Sequence, residues 1–188
     1  MIWVLVIAVA MTAWVAWVFN RLVGLRNRAA AAWSDIDVQL KRRHDLVGNL
    51  VETVKGYAAH ERETLDQVVR ARALAEEARD AGRPGAAGHA ESGLSGQIRA
   101  LFALVEAYPD LKASERFLDL HRALIDVEDH IQNARRYYNA VVRDLNTLIQ
   151  IFPHVLVARA FGIREREHFE LESPAEAAVP RFDLEPGS

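Results

Sequence analysis

Residues 2–19 run for eighteen positions without a single charge, and beyond them the chain turns abruptly polar at Asn20, Arg21, Arg26 and Arg28. At about 1.5 Å of rise per residue such a run makes roughly 27 Å of helix, close to the thickness of a bilayer's hydrocarbon core. Nine of the eighteen are Leu, Ile, Val or Phe. Each contributes about −0.3 to −0.6 kcal/mol to insertion, and one central charge would cancel most of the total. A cleaved secretory signal is the rival reading. Nothing basic precedes the run except the amino terminus, and cleavage after Ala8-Val9-Ala10 would leave a core of only six residues. That is shorter than the ~7–15 residues signals use. Residues 1–19 are therefore read as an uncleaved transmembrane anchor. Trp3 near one end, with Trp14 and Trp17 near the other, takes the interfacial positions that indole rings favour. Arg21, Arg26 and Arg28 complete the interface set. By the positive-inside rule they place the amino end outside and the body in the cytoplasm, as a single-pass protein. These arginines also suit contact with anionic lipid, although setting topology is the simpler role.

Absence of cysteine excludes disulfides, zinc–thiolate and iron–sulfur sites, thiol catalysis and a cysteine-linked lipid. Charge is unevenly spread. Residues 163–188 hold three arginines against seven acids, whereas residues 20–162 hold 20 basic and 19 acidic residues. No basic field suits nucleic acid, so none is expected as a partner.

From Leu22 to Ala75 a seven-residue repeat persists, and twelve of its sixteen seam positions are apolar. It predicts one long helix with a coiled-coil-like face, weakened locally by Gly48 and Gly56 unless they admit a close neighbour. The glycine-rich stretch 80–96, with Pro84, reads as a flexible loop without the Lys-Ser/Thr ending of a phosphate loop. Residues 94–107 predict a shorter helix, stopped at Tyr108-Pro109-Asp110. Ser114 reads as the N-cap of a second long helix with the seam Phe117, His121, Leu124, Glu128, Ile131, Arg135, Tyr138, Val142, Leu145, Ile149 and Phe152. Pro153 marks a break, residues 154–160 a short helix, and Gly162 its C-terminal cap. Residues 163–188 read as an extended or disordered acidic tail. The expected architecture is all-α: an N-terminal transmembrane helix, then an antiparallel bundle over residues 20–162 of two long helices and one or two shorter ones.

Four charges interrupt the seams: Arg43 and Glu61 on the first helix, Glu128 and Arg135 on the second. Buried charges need partners. The expectation is an internal network, with Arg43 facing Glu128 and Glu61 facing Arg135, or the converse, joined by Asn49 and Asn139. Fixing the register between helices is its simplest role. A ligand or metal site inside the bundle is the alternative, and a wrong seam phase would leave these groups solvated. Metal chemistry has little footing. The one Glu-x-x-His motif ends at His168 in the tail, and in His60-Glu61-Arg62-Glu63-Thr64 a threonine stands where a zinc-protease motif needs its second histidine. No Gly-x-Ser-x-Gly elbow occurs. No catalytic, cofactor-binding or metal-binding residue is assigned.

Several ordered motifs now accumulate. Asn27-Arg28 leads to AWSDIDVQLKRR (residues 32–43), then Asp45-Leu46, Asn49-Leu50-Val51 and ETVKGYAAHE (52–61). EAYPDLKAS (106–114), ARRYYN (134–139), Phe152-Pro153 and Phe161-Gly162 follow. Over roughly residues 20–170 the chain resembles the LemA family of small bacterial membrane proteins. It departs at Gly48, where the family usually has proline, which puts a helix kink there in doubt. The resemblance implies an amino-terminal membrane helix, an antiparallel bundle and no established enzymatic activity. It also implies a role in membrane-associated scaffolding or interaction, with some members linked to membrane organisation or found beside membrane peptidases. The functional expectation is a non-enzymatic, membrane-anchored helical scaffold that contacts the lipid bilayer and self-associates or binds other membrane proteins. The alternative is a membrane-tethered sensor binding a small ligand or ion in the polar centre, or an adaptor for a membrane peptidase.

Overall fold

The computed structural model describes residues 1–170, and the acidic stretch 171–188 lies outside the described residues. Six helices appear among them and no strand: α1 (Ile2–Lys55), α2 (Arg62–Asp80), α3 (Pro84–Val105), α4 (Pro109–Lys112), α5 (Glu115–Gln150) and α6 (His154–Ala160). The all-α expectation holds, with a long apolar amino-terminal helix leading into a helical bundle. The chain divides into two compact units, and α1 and α5 each contribute a segment to both.

The first unit takes residues 1–35 and 134–168. Its core joins Val18 and Leu22 of α1 to Leu145, Leu148 and Ile149 of α5, with Val157 and Ala158 of α6 and Ile163 behind them. Further along α1, Trp33 meets Tyr138, with ring centroids 5.7 Å apart. Rising numbers on α1 thus meet falling numbers on α5, so the two segments run antiparallel. Gly162 closes α6 at φ +65°, with Ile163 N–H donating to Ala158 O at 2.9 Å and Gly162 N–H to Arg159 O at 3.2 Å. This paired pattern satisfies the last carbonyls of a helix and needs a left-handed residue, which glycine adopts without strain. Residues 163–168 then pass back along α5. The Asn146 side chain donates to Arg166 O and accepts from Arg166 N–H, both at 2.9 Å, and Tyr138 Oη donates to Glu167 O at 2.9 Å. Phe152, placed on the second seam by its spacing, is instead 78 % exposed, because the chain leaves α5 at Gln150 before the seam reaches it. The first thirteen residues are all exposed, and the apolar run has a mean hydropathy of 2.3 in its best window.

The second unit takes residues 36–133 and, of the described residues that follow, 169 and 170. Two sequence expectations change here. The repeat from Leu22 to Ala75 does not form one helix: α1 ends at Lys55 and α2 begins at Arg62. Gly56 follows the end of α1, and local bonds such as Ala58 N–H to Val54 O at 2.8 Å turn the chain. Arg72 of α2 lies against Gly48, while Arg79, a further two turns along, reaches Asp37 at 3.5 Å. The two helices are therefore antiparallel. Val47, Leu50 and Val54 of α1 share one core with Leu65, Val68 and Ala75 of α2. A heptad seam carries no information about chain direction, so a hairpin satisfies the same periodicity.

The second change concerns the glycine-rich stretch. It is mostly helix, not loop: the turn is confined to residues 81–83, where Gly82 has φ +65°, and Pro84 occupies the first turn of α3. Proline is preorganised for that position. The buried face of α3 includes Ala87, Glu91, Leu94, Ile98, Leu101 and Val105, spaced by alternating fours and threes. That periodicity outweighs the glycines. At Gly88 the missing side chain is required, because a Cβ there would run into the backbone carbonyl of Glu170.

Gly88→Ala should lower stability by about 1–3 kcal/mol despite alanine's higher helix propensity, since backbone overlap outweighs propensity. Gly93→Ala, where the added methyl meets open space, should be neutral or stabilise by up to about 1 kcal/mol. Chemical denaturation of both variants checks the contrast. Burial raises the Tyr138 phenol above its ordinary value, against the opposing charge of Arg166. Its contribution to stability is complete below the unfolded value near ~10 and is lost as pH rises through the higher folded value. Denaturation midpoints should fall over that alkaline range, with a shallower fall in Tyr138→Phe.

Candidate functional site

Arg43 is one of the largest side chains in the protein with almost no exposure, at 2 %. A guanidinium cannot shed its charge, so it must be met by acceptors. Two helices of the second unit supply them. From α3, Glu91 Oε2 accepts from Arg43 Nη1 at 3.0 Å, and Ser95 Oγ accepts from Nη2 at 2.6 Å. From α5, Glu128 Oε2 stands 3.6 Å from Nη2. Glu91 and Ser95 are four residues apart, one helical turn, so both face α1 together. Ser95 passes its own hydrogen back to Glu91 O at 2.9 Å.

His44, the next residue on α1, completes the cluster. Its Nε2 lies 2.7 Å from Glu91 Oε1, and both side chains are buried. A carboxylate that accepts from Arg43 can only accept again, so the hydrogen of this bond sits on Nε2. His44 Nδ1 is buried without a partner among the described residues. Glu91 thus uses one oxygen for the guanidinium and the other for the imidazole. Glu128 uses its remaining oxygen to accept from Gln132 Nε2 at 3.2 Å. The result is a compact ionic cluster that ties α1, α3 and α5 at one level of the second unit. Desolvating such a cluster offsets much of its Coulomb attraction, so its value lies in selecting one register rather than in net stability.

The residues singled out by sequence fall in different places. Arg43 and Glu128 meet. Glu61 does not meet Arg135 but accepts from Tyr108 Oη at 3.0 Å. Arg135 and Asn139 are half-buried on α5, in the segment belonging to the first unit, and Asn49 is exposed on α1. Sequence reasoning missed Glu91, Ser95 and His44. The first two sit in the stretch read as a loop, yet both fit the apolar spacing that runs through Leu94 and Ile98. At the opposite end of α1, Trp3 and Trp17 are exposed, and Trp14 packs edge-on to His154 with centroids 5.9 Å apart. Arg21 lies over the Trp17 ring at 5.6 Å, and Arg26 and Arg28 are exposed. No group of three or more metal-ligating side chains comes together among the described residues.

Glu91→Leu should cost about 3–5 kcal/mol, because it strips the shared acceptor from a buried guanidinium. Replacing Arg43 by Met together with Glu91 and Glu128 by Leu should recover most of that loss, because no buried charge is then left alone. A denaturant titration of the two variants reads the difference. Equal losses in both would show that packing, not charge, governs this site.

Comparison with known proteins points to one family. The profile described as the LemA family matches residues 32–183. Magnetosome protein MamQ of Magnetospirillum gryphiswaldense is 26 % identical, over 84 % of this chain and 66 % of the relative. Protein LemA of Metamycoplasma hominis is 29 % identical, over 71 % of this chain and 60 % of the relative. The chain thus spans about two thirds of the length of the curated relatives it matches. None of these names denotes an enzyme, and the family and the apolar helix are both consistent with membrane anchoring. By the match over most of its length and by its helical architecture, the chain belongs to the LemA family.

Proposed function

We propose that this protein is a non-enzymatic, membrane-anchored helical scaffold, held in the cell membrane by residues 2–19 with its bundle on the cytoplasmic side. One observation carries the reading. The apolar run is exposed throughout residues 2–13, with Ile2, Trp3, Leu5 and Ile7 each at least 64 % exposed, and the same helix continues without a break into Val18 and Leu22, which are fully buried. An apolar surface of that extent is untenable in water and requires a covering phase. A bilayer matches its length. The names of the relatives, magnetosome protein MamQ among them, place no reaction on this fold. Ligand sensing gains no support from the polar centre, where Arg43, Glu91 and Ser95 serve as one another's partners.

Full-length protein should stay with membranes through alkaline carbonate washing. Leu5→Arg with Val9→Arg should release it, because each central charge costs about 2.5–3.5 kcal/mol of insertion energy. Crosslinking in intact membranes should then capture a second copy or another membrane protein. A strictly monomeric protein that captures nothing would remove the scaffold reading. The chain has no native cysteine, so a single Ala30→Cys variant reports orientation. It should react with a permeant thiol reagent only, and labelling from outside would invert the topology.

A further inference from the structure

A groove of about 740 Å³ lies in the first unit, beginning directly beyond the apolar run. Arg21 and Arg28 of α1 line it, with Arg143 of α5 and one acid, Asp144. Asn20 and Thr147 add two neutral polar groups. Three fixed positive charges against one carboxylate leave the groove cationic. None of the three arginines makes an ion pair among the described residues, and Arg21 rests on the face of Trp17. Elsewhere Arg42, Arg72, Arg79 and Arg122 each reach a carboxylate within 3.7 Å, while single exposed arginines such as Arg62 and Arg159 reach none among the described residues.

Position gives the second argument. Asn20 follows the last apolar residue directly, and Arg28 stands about 12 Å further along the axis at 1.5 Å per residue. Helical side chains lean toward the amino terminus, which for α1 is toward the bilayer. The headgroup layer is about 5–8 Å deep on each side of the hydrocarbon core, so the guanidiniums of the groove fall within or just outside it. An independent marker fixes the same level. Phe161, beyond the end of α6, packs on Phe19 with centroids 4.6 Å apart, and Phe152, Leu156 and Phe161 each remain more than half exposed. Apolar side chains left bare at that height suit contact with lipid.

We propose that this groove binds the phosphate of an anionic phospholipid headgroup. Guanidinium groups take phosphate oxygens in pairs and are weakly hydrated, which suits them to a partly wet interface. Asp144 accepts from a hydroxyl of the headgroup and disfavours a second phosphate in the same space. Gly24 forms part of the lining, and a Cβ there would meet nothing within 4 Å. The groove is therefore open over that residue. The proposal rests on residues 2–19 occupying a bilayer.

The test uses full-length protein in lipid nanodiscs containing phosphatidylglycerol and phosphatidylcholine. After release into mild detergent, native mass spectrometry reads which lipid stays bound. Phosphatidylglycerol should be retained preferentially. Arg28→Gln with Arg143→Gln should weaken that preference about fivefold per charge removed, which is ~1 kcal/mol each. Gly24→Leu should reduce retention without changing any charge, and the thermal midpoint should not fall. Arg159→Gln with Arg164→Gln, exposed arginines outside the groove, should change little. An equal loss in that control pair would overturn the proposal in favour of general surface attraction. Equal retention of both lipids, or full retention by Gly24→Leu, would also overturn it. Displacement of the lipid by excess inorganic phosphate would make this a soluble-phosphate site instead. Insertion into pure phosphatidylcholine discs reads the anchor separately. Insertion without lipid preference sinks only the groove, whereas failure to enter either bilayer sinks both readings.

Discussion

A buried guanidinium is the most demanding group in the second unit, and the order of that unit follows from it. Arg43 keeps its charge at any relevant pH, so its surroundings must bring acceptors to a fixed depth. Glu91 and Ser95 do so only if the chain around them is helical and in one rotational setting. Four glycines in α3, Gly85, Gly88, Gly93 and Gly96, oppose that helix by about 1 kcal/mol each relative to alanine. Burying Leu94, Ile98, Leu101, Phe102 and Val105 returns about 1.5–3 kcal/mol per side chain, several times the glycine cost. Apolar burial makes α3 a helix. The ionic cluster then decides which face points inward, since any other rotation leaves Arg43 unpaired.

Much of this was legible in the residues, and the failures have specific causes. Spacing alone identified Leu22, Ile36, Leu40, Val47 and Leu50 as one buried stripe, and it set Arg43 and Glu128 on inward faces. It failed at Gly56 because a hairpin preserves heptad phase. It failed at residues 84–96 because glycine content was weighed above the four-three spacing of Ala87, Glu91, Leu94 and Ile98. With the helix missed, the shared partner of Arg43 was missed too, and Glu61 was left to seek Arg135 when Tyr108 stood closer at hand. Identity of a charged residue is local information, but the choice of its partner depends on which helices lie side by side.

The first unit solves a different problem. Its outer end carries bare Ile, Val, Leu and Trp side chains that no protein group covers, and its inner end is tied by Tyr138 and Asn146 to the returning chain at 163–168. Those ties run from side chain to backbone, so they hold the segment whatever its own side chains are. Sequence variation at Arg166 or Glu167 would be tolerated there, whereas Asn146 supplies both a donor and an acceptor that few side chains can replace.

Set side by side, the arginines divide by what surrounds them. Where water is excluded, as at Arg43, the chain supplies its own carboxylates. On the solvated flanks of the second unit, Arg42 and Arg79 reach acids that are themselves half exposed, and such pairs are worth at most about 1 kcal/mol. At the boundary of the apolar run Arg21, Arg28 and Arg143 face a common space that holds one acid, Asp144, and none of the three pairs with it among the described residues. An unpaired cation next to a low-dielectric slab is disfavoured unless an anion meets it. The chain pairs its deeply buried arginine with two acids, and under the proposed reading a lipid phosphate supplies the charge that Arg21, Arg28 and Arg143 face.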